Sequence, residues 1–431
     1  MRCQYAVGNG VVTDGLNCFY KNGAILIEDD RISKICDTSE IKNSNLTFFD
    51  VKGRLILPSF VNFHHHLYST LSLGLNTSFE NENFREHLEN HVWKFDAILD
   101  EESIYYSVLL GLIDSIKHGI TVVFDHHASM NCAGNSLTLI RDAFNAAGIK
   151  GVLCFETSDR GGPEGVKKQF DENISLWEKC SENDNVLSAF GLHANFTLSE
   201  STLENVAVKK PVEMPIHIQC GESKLDLDFC INLGYKGVID RLNKFGLIDN
   251  HSIVAHAIHL SDRDYEILAD LRPIVVSNPE SNATNHVGRI NTNRLSNYVL
   301  GTDGMGNDIL QTLRIQYLLH NEATHVFENL TNIFFKNTQE AVSAYFPSSG
   351  CFKENMKADI AILDYVPVTP ISKNNLIAHL LFGARGGNVY MTISDGKILY
   401  KDGKINIFNE HRVLSEVQEI AEVLQKRFYS A

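Results

Sequence analysis

Three histidines close an apolar run, Leu55-Ile-Leu-Pro-Ser-Phe-Val-Asn-Phe-His-His-His66, and no other stretch of this sequence is better suited to chemistry. Side chains alternate faces along an extended strand, so His64 and His66 share one face and His65 takes the other. Two imidazoles so placed are a natural pair of metal ligands, with borderline-soft nitrogens that suit zinc or iron. A lone His-x-His is as readily a pair of surface histidines, so the reading depends on what the rest of the chain brings beside it.

Seven further β-rich runs follow, at 121–124, 151–155, 187–190, 214–218, 252–255, 273–276 and 298–301. Helical patterns such as 102–117 and 263–271 lie between them. Eight β-then-α units predict an α/β fold, a (β/α)8 TIM-like barrel over residues 58–351. The residues that close the runs are His64-His-His66, Asp125-His-His127, Glu156, His193, His217, His256, Ser277-Asn278 and Asp303. Barrel active sites form at the carboxyl ends of the strands, where these groups would converge. One polar strand end is ordinary, but a set this rich in His and Asp points to a site.

Both ends of the chain read as short strands with tight turns. Residues 24–35 form two β-rich runs around an acidic turn, and Asp395-Gly396 sits between 390–393 and 397–400 as a two-residue hairpin turn. Residues 1–57 and 352–431 therefore predict one small β-sandwich domain assembled from both termini. Over 415–428, Val417, Ile420, Val423 and Leu424 have helical spacing and predict a packing helix.

Composition narrows the partners. A formal net charge of −15 argues against nucleic-acid binding, which needs basic patches. No apolar run approaches the roughly 18 residues that span a bilayer, and the amino terminus lacks an apolar signal segment. Nine cysteines without a Cys-x-x-Cys pair suggest reduced thiols and a cytoplasmic protein. A small-molecule substrate is expected.

The chain resembles the metal-dependent amidohydrolase superfamily, in the branch of triazine hydrolases, guanine and S-adenosylhomocysteine deaminases and SsnA-type aminohydrolases. The resemblance rests on Pro58-to-His66, Val123-Phe-Asp-His-His-Ala-Ser129 and Phe190-Gly-Leu-His-Ala-Asn-Phe-Thr-Leu198. It continues through Val254-Ala-His-Ala-Ile-His259, Asn278-Pro-Glu-Ser-Asn282 and Leu300-Gly-Thr-Asp-Gly-Met305, essentially end to end. It implies one divalent metal per chain, zinc or else iron, held by His64, His66, His217 and Asp303. It also implies that His256 contacts water or substrate, that Asp303 takes the proton from a water whose pKa the metal lowers toward ~7, and that relatives often dimerise. A bridging lysine on the fourth strand would mark a binuclear centre, and that run ends at His193 without one.

The sequence departs from this pattern in two places. Relatives carry a glutamate three residues after the fifth-strand histidine, where it shuttles a proton. Here that position is Cys220, with Glu222 two residues later as the replacement catalytic acid. Relatives also carry a histidine where this chain has Ser277. His193, His127, Ser277, Asn282 and Cys220 are the expected substrate-binding residues. His65 should face away, and His87, His91 and His325 should lie on the surface. The segment from Leu71 to Asp100 is long enough to form a lid.

Three functions remain open. The first is an aminohydrolase acting on a purine-like nitrogen heterocycle. The second is a hydrolase of an amide or carbon–chlorine bond on the same scaffold. The third is a catalytically degraded metal-binding accessory protein.

Overall fold

Eight parallel strands ring a common axis: Phe60–His65, Ile120–His127, Lys150–Phe155, the pair Val186–Ser188 and Phe190–Leu192, Ile216–Cys220, Ile253–His256, Ile274–Ser277 and Val299–Leu300. The computed structural model describes residues 4–41, 46–75, 83–181, 184–384, 387 and 389–430. Hydrogen bonding groups these strands into two arcs that meet at both seams. At one seam Thr157 N–H donates to the Gly191 carbonyl and His193 N–H to that of Thr157, both at 3.0 Å. At the other, Thr302 and Asp303 N–H groups both donate to the His64 carbonyl, at 3.0 and 2.9 Å. The fourth strand is interrupted at Ala189, which divides the predicted run 187–190 into two short pieces.

Strands buried on both faces need apolar side chains on both. Val61, Phe63, Val122, Phe124, Val152 and Cys154 pack inside the ring, over a floor of Val342, Tyr345 and Phe346. Ile113, Ile116, Ile140 and Leu203 are among those that pack between strands and outer helices. Helices such as Glu101–Lys117, Ser136–Ala147 and Asp262–Leu271 supply that outer layer.

The first strand carries an irregularity that matters for the site. Its pairing with the second steps from Asn62↔Val123 to His65↔Asp125, one extra residue on the histidine side. A bulge of this kind re-aims side chains. It lets Phe63 fill the interior while His64 and His66 also face inward. His65 faces away, as expected, with Nδ1 against Thr302 Oγ1 at 2.9 Å and Nε2 accepting from Asn307 Nδ2 at 3.1 Å.

Gly301 lies where the eighth strand meets the first. A Cβ there would stand 2.5 Å from Asn278 Oδ1 and 2.9 Å from the His64 backbone nitrogen. Gly301→Ala should therefore force the first strand outward, at about 1–3 kcal/mol. The expected result is a lower Tm together with weaker metal retention. A variant with unchanged values of both would show that the seam yields elsewhere.

The two chain ends meet in one continuous nine-stranded sheet. Leu55–Pro58 is its hinge: it runs parallel to Gln4–Thr13 through Val11↔Leu55 and antiparallel to Ile360–Leu363 through Ile360↔Pro58. Asp395 and Gly396 turn the hairpin Val389–Ser394/Lys397–Lys401 with positive φ at both positions, as that turn requires. The sheet is tied to the barrel by buried Lys150. Its Nζ lies 3.0 Å from both Asp359 carboxylate oxygens and 2.7 Å from Asp395 Oδ1.

The carboxy-terminal helix, Glu410–Ser430, extends beyond its expected limits. Val413, Val417, Leu424 and Phe428 are its buried face, with Ile420 packed beside them. Val423 was expected on that face but is 45% exposed, because it falls one residue off the 3.6-residue stripe.

Candidate active site

At the carboxyl mouth of the ring a cavity of about 250 Å³ is lined by His66, Glu156, His193, Gln219, Glu222 and Asp303, among others. His66 Nε2 lies 2.8 Å from Asp303 Oδ1, and His64 Nε2 lies 3.5 Å from the same oxygen. His256 Nε2 is 3.9 Å from Asp303 Oδ2 and 3.7 Å from Glu222 Oε2. Ser281 donates to Asp303 Oδ2 at 2.5 Å. Both His256 and Asp303 hold positive φ, at 71° and 57°, a costly backbone state for non-glycine residues that concentrates at functional sites.

These separations suit a metal better than hydrogen bonds. Ligand atoms on a tetrahedral zinc with bonds of about 2.0–2.1 Å stand about 3.3 Å apart, whereas a hydrogen bond at 3.6 Å is not one. His64 Nε2 and His256 Nε2 are buried and find no hydrogen-bond partner among the described residues. The His256 ring is oriented by Asn282, whose Oδ1 lies 2.8 Å from Nδ1, so Nδ1 carries the proton and Nε2 presents its lone pair. His64, His256 and Asp303 thus form a buried group of ligand atoms that fits a divalent cation.

Electrostatics divides the two carboxylates. Burial raises the pKa of Glu222 above the ordinary carboxylate value, with the neighbouring Asp303 adding to the rise. Burial works the same way on Asp303, but the His64 and His66 imidazoles beside its Oδ1 outweigh that and hold it well below the ordinary range.

A family model described as "Amidohydrolase family" matches residues 55–399. The chain belongs to the amidohydrolase family. It is 30% identical over 408 residues to a 5-methylthioadenosine/S-adenosylhomocysteine deaminase of Thermococcus kodakarensis, covering 91% of this chain and 93% of the relative. It is 28% identical to a 5'-deoxyadenosine deaminase of Methanocaldococcus jannaschii, covering 94% of this chain and 97% of the relative. The fold matches a zinc-bound adenosine deaminase from Xanthomonas campestris with a TM-score of 0.86 at 16% identity, over 100% of this chain and 99% of that one. The protein is a hydrolase of this family, and its site is built for a divalent metal.

The expected ligand His217 lies within the same cluster of histidines. Inward positions on the fifth strand are 217 and 219, and the cavity is lined at 219. His217 Nε2 lies 2.8 Å from His64 Nδ1, and its ring centroid is 4.8 Å from that of His126. Gln219, two residues on, lines the cavity and donates to Glu156 Oε2 at 3.3 Å. Strict alternation from His217 would have marked Gln219 in the sequence.

The expected substrate-binding residues sort by the same alternation. His193 lines the cavity, its Nδ1 2.8 Å from Thr197 Oγ1, and burial lowers its pKa to about 4. Cys220 faces outward, where Asn195 Nδ2 donates to its Sγ at 3.6 Å and burial raises the thiol far above its ordinary pKa. Ser277 also faces outward and donates to Gln316 at 3.0 Å. His127 sits behind the wall with Nε2 2.8 Å from Ser129 Oγ, and Asn282 supports His256 from behind. None of these four lines the cavity.

The described part of the lid, Phe84–His87, Leu88–Val92 and Trp93–Ala97, is helical; residues 76–82 of that segment lie outside the described residues. His87 and His91, expected on the surface, are half-buried and line the cavity. His325 is exposed. Across the cavity from Asp303 stand Glu156 and His126, with Arg160 Nη2 3.1 Å from Glu156 Oε1 and Nη1 2.8 Å from Asp96 Oδ2. Among the described residues, no helix is long and apolar enough to cross a membrane.

Proposed function

We propose that this amidohydrolase is an aminohydrolase that releases ammonia from an adenine-type nucleoside, using a divalent cation, zinc by its donor set and iron as the alternative. The observation that carries the reading is the placement of two carboxyls, Glu222 and Asp303, 3.7 and 3.9 Å from His256 Nε2. Two such groups divide base and acid work between them. The names of the curated relatives support the purine nucleoside.

His64, His256 and Asp303, with His66 beside them, would hold a cation, which when bound would supply Lewis-acid activation of water and substrate. Asp303 accepts the proton that the attacking water gives up, and Ser281 keeps its Oδ2 turned toward His256. His256, its tautomer fixed by Asn282, keeps Nε2 turned toward the cation site and the two carboxyls. Glu222 delivers a proton toward the departing amine, anchored by Asn285 Nδ2 at 3.3 Å from Oε1. The shift of the acid from position 220 to 222 is met by the extra reach of the Gly221 turn, which holds φ at 65°.

The test is ammonia release from a panel of adenine nucleosides, guanine, triazines and simple amides, with chelated and zinc-restored protein. Deamination of an adenine nucleoside that zinc restores is the expected result. A panel without ammonia overturns the reading, and release only from amides or chlorotriazines favours the alternative hydrolase. Chelation should also lower Tm, since a ligand at 1,000 times its Kd stabilises by about 4.1 kcal/mol.

A further inference from the structure

We propose a second cation subsite in the same cavity, formed by His126 and Glu156 with His66. His126 is fully buried at the end of the second strand, and Glu156 follows the third. The His126 Nε2 faces two backbone carbonyls, Leu192 at 3.1 Å and His217 at 3.3 Å. Carbonyls only accept, so Nε2 carries the proton and Nδ1 presents a lone pair toward Glu156. That Nδ1 has no hydrogen-bond partner among the described residues. It lies 3.6 Å from Glu156 Oε2, too far for a hydrogen bond and close to the spacing of two ligands on one metal.

His66 completes the group. Its Nδ1 donates to the His126 carbonyl at 2.6 Å, which leaves Nε2 as the ligating nitrogen. The His66, His126 and Glu156 ligand atoms all lie within 4.8 Å of one another. Gln219 adds an amide beside Glu156 Oε2, and Arg160 holds Oε1, the oxygen the cation does not need. A ligating carboxylate steadied through its other oxygen is how such sites are oriented.

The two groups are contiguous, because His66 Nε2 is also 2.8 Å from Asp303 Oδ1. His66 is thus the residue through which the two groups meet. The cavity would then take two cations of the zinc class, so stoichiometry separates this subsite from the Asp303 site.

Full-length protein stripped with chelator, reloaded with zinc chloride and desalted should carry two zinc ions per chain by elemental mass spectrometry. His126→Asn and Glu156→Gln should each carry one, and His126→Asn combined with Asp303→Asn should carry none. His126→Asn removes two backbone contacts and the ring contacts with His64, His66 and His217, and circular dichroism checks its fold, as it does that of Glu156→Gln. One zinc in the wild type, kept in His126→Asn and lost in Asp303→Asn, overturns the subsite and leaves the proposed function standing. One zinc lost in His126→Asn and kept in Asp303→Asn supports the subsite and moves the cation away from Asp303. No zinc in the wild type overturns both assignments.

Discussion

Asp303→Asn should lower kcat/KM for the deaminated nucleoside by about 10²–10⁴, the usual contribution of a positioned general base. At 1.36 kcal/mol per tenfold, that is about 2.7–5.4 kcal/mol of barrier. Asparagine is the right replacement because Asp303 holds φ at 57°, and asparagine tolerates this region where alanine adds strain. The amide keeps the shape and can still accept from Ser281, so the fold should be preserved while the proton acceptor and a cation ligand are lost. Glu222→Gln should cost activity through the leaving amine instead, and its deficit should shrink with substrates that carry a better leaving group. Activity within tenfold of wild type in Asp303→Asn would move the base role to another residue.

Lys150→Met should destabilise the protein by about 3–5 kcal/mol at neutral pH, the cost of removing one partner from a buried ion pair. Lys150 is 2% exposed and neutralises Asp359 and Asp395 together. Burial would lower its pKa, but the two carboxylates raise it; burial would raise that of Asp395, but Lys150 depresses it. The lysine's contribution is therefore intact below its unfolded pKa of ~10.4 and lost only above its folded value. That of Asp395 is intact above ~3.9 and lost as pH falls through its depressed folded value. In the variant the sign reverses for Asp395: it keeps only Lys357 as a cationic neighbour, at 3.6 Å, and gains by taking up a proton. The deficit in Tm should therefore be larger at pH 8 than at pH 5. Equal deficits at both would assign the loss to packing rather than charge.

The ring of strands and the convergence of His64, His66, His256 and Asp303 on one mouth were legible because strand ends and their order are local in sequence. The depth of each side chain was not. Whether a strand presents position 217 or 219 to the cavity depends on where it starts relative to its neighbours, which no single run reveals. The extra residue between Asn62 and His65 was hidden for the same reason: a bulge exists only relative to a partner strand. Glu156 and His126 stood in the sequence as polar strand ends. Their unpaired nitrogen and shared spacing appear only when the second and third strands are set beside the first.

The sheet built from both ends of the chain also imposes a schedule on synthesis. Leu55–Pro58 leaves the ribosome early, yet the strand that covers its second edge, Ile360–Leu363, is made only after the whole barrel. At about 5–20 residues per second that delay is roughly 15–60 s, during which an apolar strand edge stands open. The barrel can assemble in the interval, but the edge remains a template for another nascent chain. Chains cut short before Leu363 should for this reason collect in aggregates, even where every residue around the metal has already been made.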